Sequence, residues 1–476
     1  MTARDTHPLR LDDDRLFPAE PSVRGVARRL YAEVAGLPIV SPHGHTDPQW
    51  FATNEPFPNP TELLVTPDHY LYRMLYSQGV RLEELGIGDG SAAPAADPRS
   101  AWRTFASHYH LFRGTPSRLW LDYVFVTVFD LDVRLTSATA DVYYDRIAER
   151  LARPDYRPRE LFDRFRIELL ATTESPLEDL RWHRMIRDSG WPGKVITTFR
   201  PDPVVDPEYE GFVDNVRLLG ELARTDTSTW RGYLDALRER RAFFAAHGAA
   251  ATDHGHPTAA TADLDSQAAG ELFARVLNGR PSAADAELFR AQMLIEMAKM
   301  SLDDGLVLQI HPGSFRNHNR DLFARYGRNR GADIPVATDY VHALKPLLDR
   351  VGNERKLTVI VFTLDETSYS RELAPLAGHY PALRLGPAWW FHDSPEGMRR
   401  FREQTTETAG FYNTVGFNDD TRAFLSIPAR HDVARRMDCA YLARLVTEHR
   451  LDEDEACDVA RALAYDLVKR AYHLEK

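Results

Sequence analysis

Eight short apolar runs, each ending in a polar and chemically capable residue, constrain the fold of this chain more than any other feature of it. The first four are 37–41 before Pro42-His43-Gly44-His45, 167–172 before Thr173-Glu174, 194–199 before Arg200-Pro201-Asp202, and 248–252 before Asp253-His254. The others are 306–310 before His311, 357–363 before Leu364-Asp365, 383–386 before Trp389-Trp390, and 413–417 before Asn418-Asp419-Asp420. Helix-period segments lie between them. One, 229–247, puts Trp230, Tyr233, Leu234 and Leu237 on one face and is followed by Gly248. Apolar strands alternating with helices predict a buried parallel sheet. Eight of them predict an α/β fold closed as a distorted (β/α)8 TIM barrel, with its chemistry at the C-terminal strand ends.

The spacing is uneven once. Roughly 120 residues separate the first two strands, far more than one crossover helix needs. The stretch 46–165 therefore reads as a large helical insertion between strands 1 and 2, packed over the barrel mouth. Its helices are expected near 101–110, 117–129 and 141–151, with an Ala/Gly/Pro-rich link at 86–100. Residues 1–36 form an N-terminal segment packing on the barrel, and 37–476 the barrel itself. Two C-terminal helices are expected over about 430–474, the second with Ala456, Val459, Ala460, Leu463, Leu467 and Val468 at helical spacing. No repeat of solenoid length is present.

A chain of 476 residues is long enough for one large catalytic domain with an insertion. Apolar residues make up 43% and charged residues 27%, as in soluble globular proteins, and no apolar run has the length of a membrane span. Residues 1–16 are polar and lack the apolar region of a secretory signal. Two cysteines, Cys439 and Cys457, exclude a disulfide framework and suit a reducing cytoplasm. The net charge of −11 argues against nucleic acid as a partner, since phosphate neutralisation needs a basic face. A small anionic substrate is compatible with it, because a few arginines set the sign of the field inside a cleft.

Two histidines at i and i+2 on a strand end share a face, and a glycine between them leaves room for a metal. His43-Gly44-His45 fits that description, and equally fits two hydrogen-bonded histidines. In a closed barrel the eighth strand lies beside the first, so Asp419 or Asp420 would complete a site begun by His43 and His45. Either carboxylate would alternatively cap the next helix. Tyr70, in Asp68-His69-Tyr70, is a candidate proton shuttle or a packed aromatic. Arg200 suits bidentate binding of a carboxylate or a structural ion pair. His311 ends the fifth strand, and Trp389-Trp390-Phe391 would wall a sugar pocket or fill the core. A second His-x-His, in Asp253-His254-Gly255-His256, falls in an Ala/Thr-rich stretch, and His256 is taken as a loop residue.

With these residues assembled, the chain resembles the uronate (glucuronate) isomerases of the amidohydrolase superfamily, nearly end to end. The resemblance is carried, in order, by His43-Gly44-His45, Asp68-His69-Tyr70, Thr172-Thr173 with Pro176, Phe199-Arg200-Pro201-Asp202 and Phe244-Ala245-Ala246-His247-Gly248. It continues through Asp253-His254, His311 with Arg316-Asn317, Trp389-Trp390-Phe391, and Asp420-Thr421-Arg422-Ala423-Phe424-Leu425. It implies that His43, His45 and Asp420 surround one divalent metal, Zn2+ by expectation. His69, Arg200, His311 and Trp389 would bind substrate, with Asp420, Tyr70 and Arg422 catalytic. The implied reaction interconverts aldose and ketose uronates, such as D-glucuronate with D-fructuronate and D-galacturonate with D-tagaturonate, through a cis-enediol. A homo-oligomer acting on a hexuronate, with no nucleic-acid or membrane partner, is the corresponding expectation. One departure stands out: the family often has Thr-Thr-Asp-Asp-Pro where this chain has Thr172-Thr173-Glu174-Ser175-Pro176, so the reach of that carboxylate differs.

The alternative enzyme is a metal-dependent hydrolase or deaminase of the same superfamily. Many binuclear members place a lysine after strand four and a histidine after strand six. This chain has Asp253-His254 and Asp365 there, which favours one metal and non-hydrolytic chemistry. A non-catalytic sugar-acid binder is the third possibility, and the complete His/Asp/Arg/Tyr set argues against it.

Overall fold

The computed structural model describes residues 8–89, 96–279 and 281–475. Its centre is a curled sheet of parallel strands: β1 (Ile39–Ser41), β2 (Ile167–Glu174), β3 (Lys194–Phe199), β4 (Ala251–His254) and β5 (Val307–Ile310). A small antiparallel hairpin, β6 (Ser314–Phe315) with β7 (Ile334–Pro335), follows. The sheet then resumes with β8 (Val359–Val361) and β9 (Leu383–Leu385), giving the order β1-β2-β3-β4-β5-β8-β9. Every pairing in it is parallel. β3 shows why these runs extend: Val195, Ile196, Thr197 and Thr198 are β-branched and are sandwiched between two neighbouring strands.

The third run matches its expected bounds, and the first, fifth, sixth and seventh are strands within theirs. The fourth begins later, at Ala251, and takes in Asp253 and His254, because Gly248 at φ +92° turns the chain out of the helix Trp230–Ala246. The second runs on through Glu174, so that this carboxylate belongs to the strand itself. The eighth run, 413–417, forms no strand; one parallel bridge joins Thr414 to Leu385. Gly416 at φ +77° breaks its extended path. Beyond it the chain returns to the start of the sheet, where His45 N–H donates to the Thr421 carbonyl at 3.0 Å.

Between β1 and β2 the chain is helical, including Pro98–His108, Pro116–Tyr123 and Ala140–Leu151. These agree with the expected helices, except that the second stops at Tyr123 and passes into a π turn, Val124–Val128. Part of the 86–100 link, 90–95, lies outside the described residues. The segment has its own core, in which Trp102, Phe105, Phe125 and Tyr143 are each fully buried. The indole N–H of Trp102 donates to the Ala140 carbonyl at 2.9 Å, tying two of its helices together. At the other end of the chain, the helix Pro21–Val34 shares a core with the helices Ile427–Thr447 and Glu453–Arg461. The last expected helix is interrupted by a π turn, Ala462–Asp466, before Leu467–Ala471. No helix of the described residues is long and apolar enough to cross a membrane.

Candidate active site

The C-terminal ends of the strands surround a cavity of about 910 Å³. It is lined by His43, His45, His69, Tyr70, Arg200, His311, Trp389, Asp420 and Arg422, so the structure brings every expected site residue to one place. His43 and His45 follow β1 directly. Their rings meet edge to face, with centroids 5.4 Å apart. Asp420 enters from the far end of the chain. Its Oδ1 lies 3.2 Å from Nε2 of His45 and 3.6 Å from Nε2 of His43, and has no hydrogen-bond donor.

Asp420 has φ +38°, in the left-handed region that non-glycine residues enter at a cost of roughly 1–3 kcal/mol. Asn317, Asn329 and Trp390, which also line the cavity, share that conformation. Burial alone would raise the Asp420 carboxyl. The neighbouring imidazoles of His43, His45 and His311 outweigh it and hold the group well below the usual carboxylate range. Burial pushes His45 down to about 4 and His69 down to about 3, so both imidazoles are neutral near pH 7.

His311 is clamped flat between His43 and Phe362, with centroids 4.9 and 3.9 Å away. Its Nδ1 is 2.7 Å from Oδ1 of Asp253, which leaves Nε2 without a partner. Asp253, at the end of β4, also meets Nη1 of Arg200 at 3.0 Å. Arg200 binds Asp202 through Nε at 2.9 Å. Its guanidinium is thus engaged by two buried carboxylates. Arg422 differs: it is largely buried, and among the described residues it makes no hydrogen bond or ion pair. Tyr70 is in the first turn of the helix His69–Ser77, which Asp68 caps by accepting the Tyr70 N–H at 2.8 Å. Burial raises the Tyr70 phenol well above its ordinary range, so it is a protonated donor.

Asp419 neither caps a helix nor faces the cavity. Its Oδ2 meets Nε2 of His431 at 3.0 Å and anchors the helix Ile427–Thr447. His256, expected as a loop residue, does lie in a loop but is 3% exposed. Arg430 is a cavity residue that sequence patterning does not single out. It sits 3.6 Å over the Trp120 ring, 5.5 Å from that of Tyr70, and is bonded to Asp393. Its helix is buried almost all round, so no polar face marks it.

Fold and donor set together define an α/β enzyme with a candidate metal centre at the strand ends. The family described as glucuronate isomerase matches residues 22–472. A uronate isomerase of Rhizorhabdus wittichii is 70% identical over 467 residues, covering 98% of this chain and 99% of its own. The crystal structure of glucuronate isomerase from Caulobacter crescentus superposes with a TM-score of 0.97 at 61% identity, covering 99% of this chain and 98% of that one. That of uronate isomerase from Thermotoga maritima gives 0.90 at 26%, covering 97% and 99%. The chain belongs to the uronate (glucuronate) isomerase family.

Proposed function

We propose that this chain is a uronate isomerase, moving a proton between C2 and C1 of a hexuronate through a cis-enediol, with D-glucuronate and D-galacturonate as the aldose substrates. The observation that carries the reading is the placement of Asp420 beside His43 and His45, facing a cavity that also holds Tyr70 and the uncommitted Arg422. His43 Nε2, His45 Nε2 and Asp420 Oδ1 are a fitting donor set for one divalent ion, two imidazoles and a carboxylate oxygen otherwise without a donor. We assign Zn2+ on that nitrogen-rich set. Bound there, it would supply Lewis acidity, lowering the pKa of a sugar hydroxyl and stabilising developing negative charge.

The remaining steps fall to side chains. Asp420, held ionised, is the base that takes the C2 proton and returns it at C1. Tyr70, protonated, relays a proton between the C1 and C2 oxygens. Arg422 offers unspent N–H groups to the enediolate charge. His69 and His311 each present an Nε2 without a partner for substrate hydroxyls or the carboxylate. Arg200, spent on Asp202 and Asp253, holds the cavity wall and offers its remaining N–H groups to substrate. Trp389 and Trp390 close the site against water.

The return of the chain from Thr414 to Thr421, bonded on one side to Leu385 and on the other to His45, supports a closed (β/α)8 barrel with 46–165 inserted and 1–36 packed outside it. Unpaired Cys439 and Cys457 support a cytoplasmic setting. The exposed Phe315, Ile334 and Val336 of the β6–β7 hairpin support self-association, which sedimentation would register.

The test is an NMR assay of the purified chain with D-glucuronate in heavy water, with and without zinc. Zinc-dependent appearance of D-fructuronate is the expected result. No ketose from either uronate with any divalent metal overturns the reading, and a cleaved product replaces it with a hydrolase.

A further inference from the structure

The sequence His-Gly-His occurs twice at strand ends, and the structure builds the two copies alike. His43-Gly44-His45 follows β1, and His254-Gly255-His256 straddles the end of β4. The His43 and His45 rings stand 5.4 Å apart at 76°, and those of His254 and His256 5.6 Å apart at 83°. Each pair is met by an aspartate from the neighbouring element on the same side. Asp420 comes from the turn whose Thr421 carbonyl bonds His45, and Asp202 from the start of the short helix Asp202–Val205 that follows β3, the strand paired with β4. The middle glycine of the second copy is closely packed. A Cβ on Gly255 would lie 2.9 Å from Oδ2 of Asp202 and 2.4 Å from the Arg200 guanidinium.

We propose that Asp202, His254 and His256 form a second divalent-cation site, of the zinc type, structural rather than catalytic. One ligand atom from each residue falls within 4.8 Å of the others. Their exposures are 8%, 0% and 3%. Nδ1 of His254 and both ring nitrogens of His256 are buried without any partner, a costly arrangement that an ion would relieve by taking the lone pair of one nitrogen of each ring. Nε2 of His254 is occupied by Thr252 at 3.1 Å, which turns its Nδ1 to the ion, and the backbone N–H of Gly255 steadies the Asp202 carboxylate at 3.1 Å. Around a tetrahedral ion with bonds of ~2.0–2.1 Å the ligand atoms come closer than this. Among the described residues no hydrogen bond holds the His256 ring, so it is the ligand that would turn to close the remaining distance. Arg200 is shared between Asp202 and Asp253, leaving one carboxylate charge to balance an added cation.

Of the three ligands only Asp202 lines the cavity, and His254 and His256 stand behind it, so the ion would sit in the cavity wall, apart from His43, His45 and Asp420. Its effect is to tie the end of β3 to the end of β4 and so fix Arg200 and Asp253, the latter gripping His311.

The test uses the full chain equilibrated with zinc. Diffraction at the zinc absorption edge is expected to show a second anomalous peak per chain among Asp202, His254 and His256, and this readout stands whether or not the protein turns over a uronate. A peak among His43, His45 and Asp420 with none at the second position overturns the proposal. Metal analysis after desalting is expected to give two zinc ions per chain for the wild type and one for His256→Gln. One ion per chain in both proteins overturns it as well.

Discussion

The indole Nε1–H of Trp389 donates to Oδ2 of Asp420 at 2.5 Å, the oxygen opposite the one turned to His43 and His45. Trp389 therefore aims the carboxylate while its ring packs edge-on to His311, 4.7 Å away. Trp389→Phe keeps an aromatic wall and removes the donor. Zinc affinity should fall ~10–100-fold, with kcat reduced, because an outer partner of this kind orients its ligand. Titration with a chromophoric chelator reads this directly, and an unchanged affinity would show that the hydrogen bond does not orient Asp420.

Asp420→Asn should lose on the order of 10²-fold or more in kcat, since the amide neither accepts the C2 proton nor carries charge. Steady-state assay with D-glucuronate under saturating zinc measures it. Full activity would remove Asp420 from the proton transfer.

Among the described residues Arg422 forms no ion pair or hydrogen bond, so its planar set of donors is available to the substrate. Arg422→Lys should cost about 10²-fold in kcat/KM, because a point charge does not reproduce the fork. Near-normal kcat and KM would assign the enediolate charge elsewhere.

Glu174 supplies the pH dependence. Burial raises its carboxyl from 4.5 to about 7, against the hydrogen bonds of Thr172 and Thr197. The folded chain thus favours the neutral acid. The stability this group contributes is fully present below about 4.5 and lost as pH rises through about 7. At about 1.4 kcal/mol per pH unit the whole effect is bounded near 3 kcal/mol. Glu174→Gln should therefore gain in Tm relative to wild type as pH rises from ~5 to ~8. A difference in Tm that stays flat across that range would show that Glu174 does not titrate there.

Removal of metal by dipicolinate should abolish turnover and leave the far-UV circular dichroism in place, since the apolar cores do not depend on the ion. Zinc should restore the rate. Activity that survives with less than a tenth of an equivalent of any divalent metal would rule out the metal centre.

The strands and the first His-x-His were legible because both write themselves locally: β-branched runs for the one, a fixed two-residue spacing for the other. β3 is the clearest instance, with all of Lys194–Phe199 as expected. The eighth run failed as a strand because a left-handed Gly416 acts against its apolar neighbours. His256 lies in a loop as expected, but its burial was not legible, since Ala/Thr-rich surroundings describe composition and not packing. Arg430 was invisible for another reason. Its value comes from Trp120, Tyr70 and Asp393, which only the folded chain brings to it, and burial raises Asp393 to about 7 beside it.

Tyr472, in the last turn of the described chain, is fully buried. Its hydroxyl donates to Gln309 at 2.6 Å and accepts from Asn418 at 2.6 Å, while Gln309 Nε2 stands 3.5 Å from Nδ1 of His43. The candidate ligand His43, just after β1, is thus braced through Gln309 of β5 by a residue on the C-terminal helices. Loosening of the helix Leu467–Ala471, which carries Tyr472 at its end, would therefore be felt at the candidate metal centre although no residue of that helix lines the cavity.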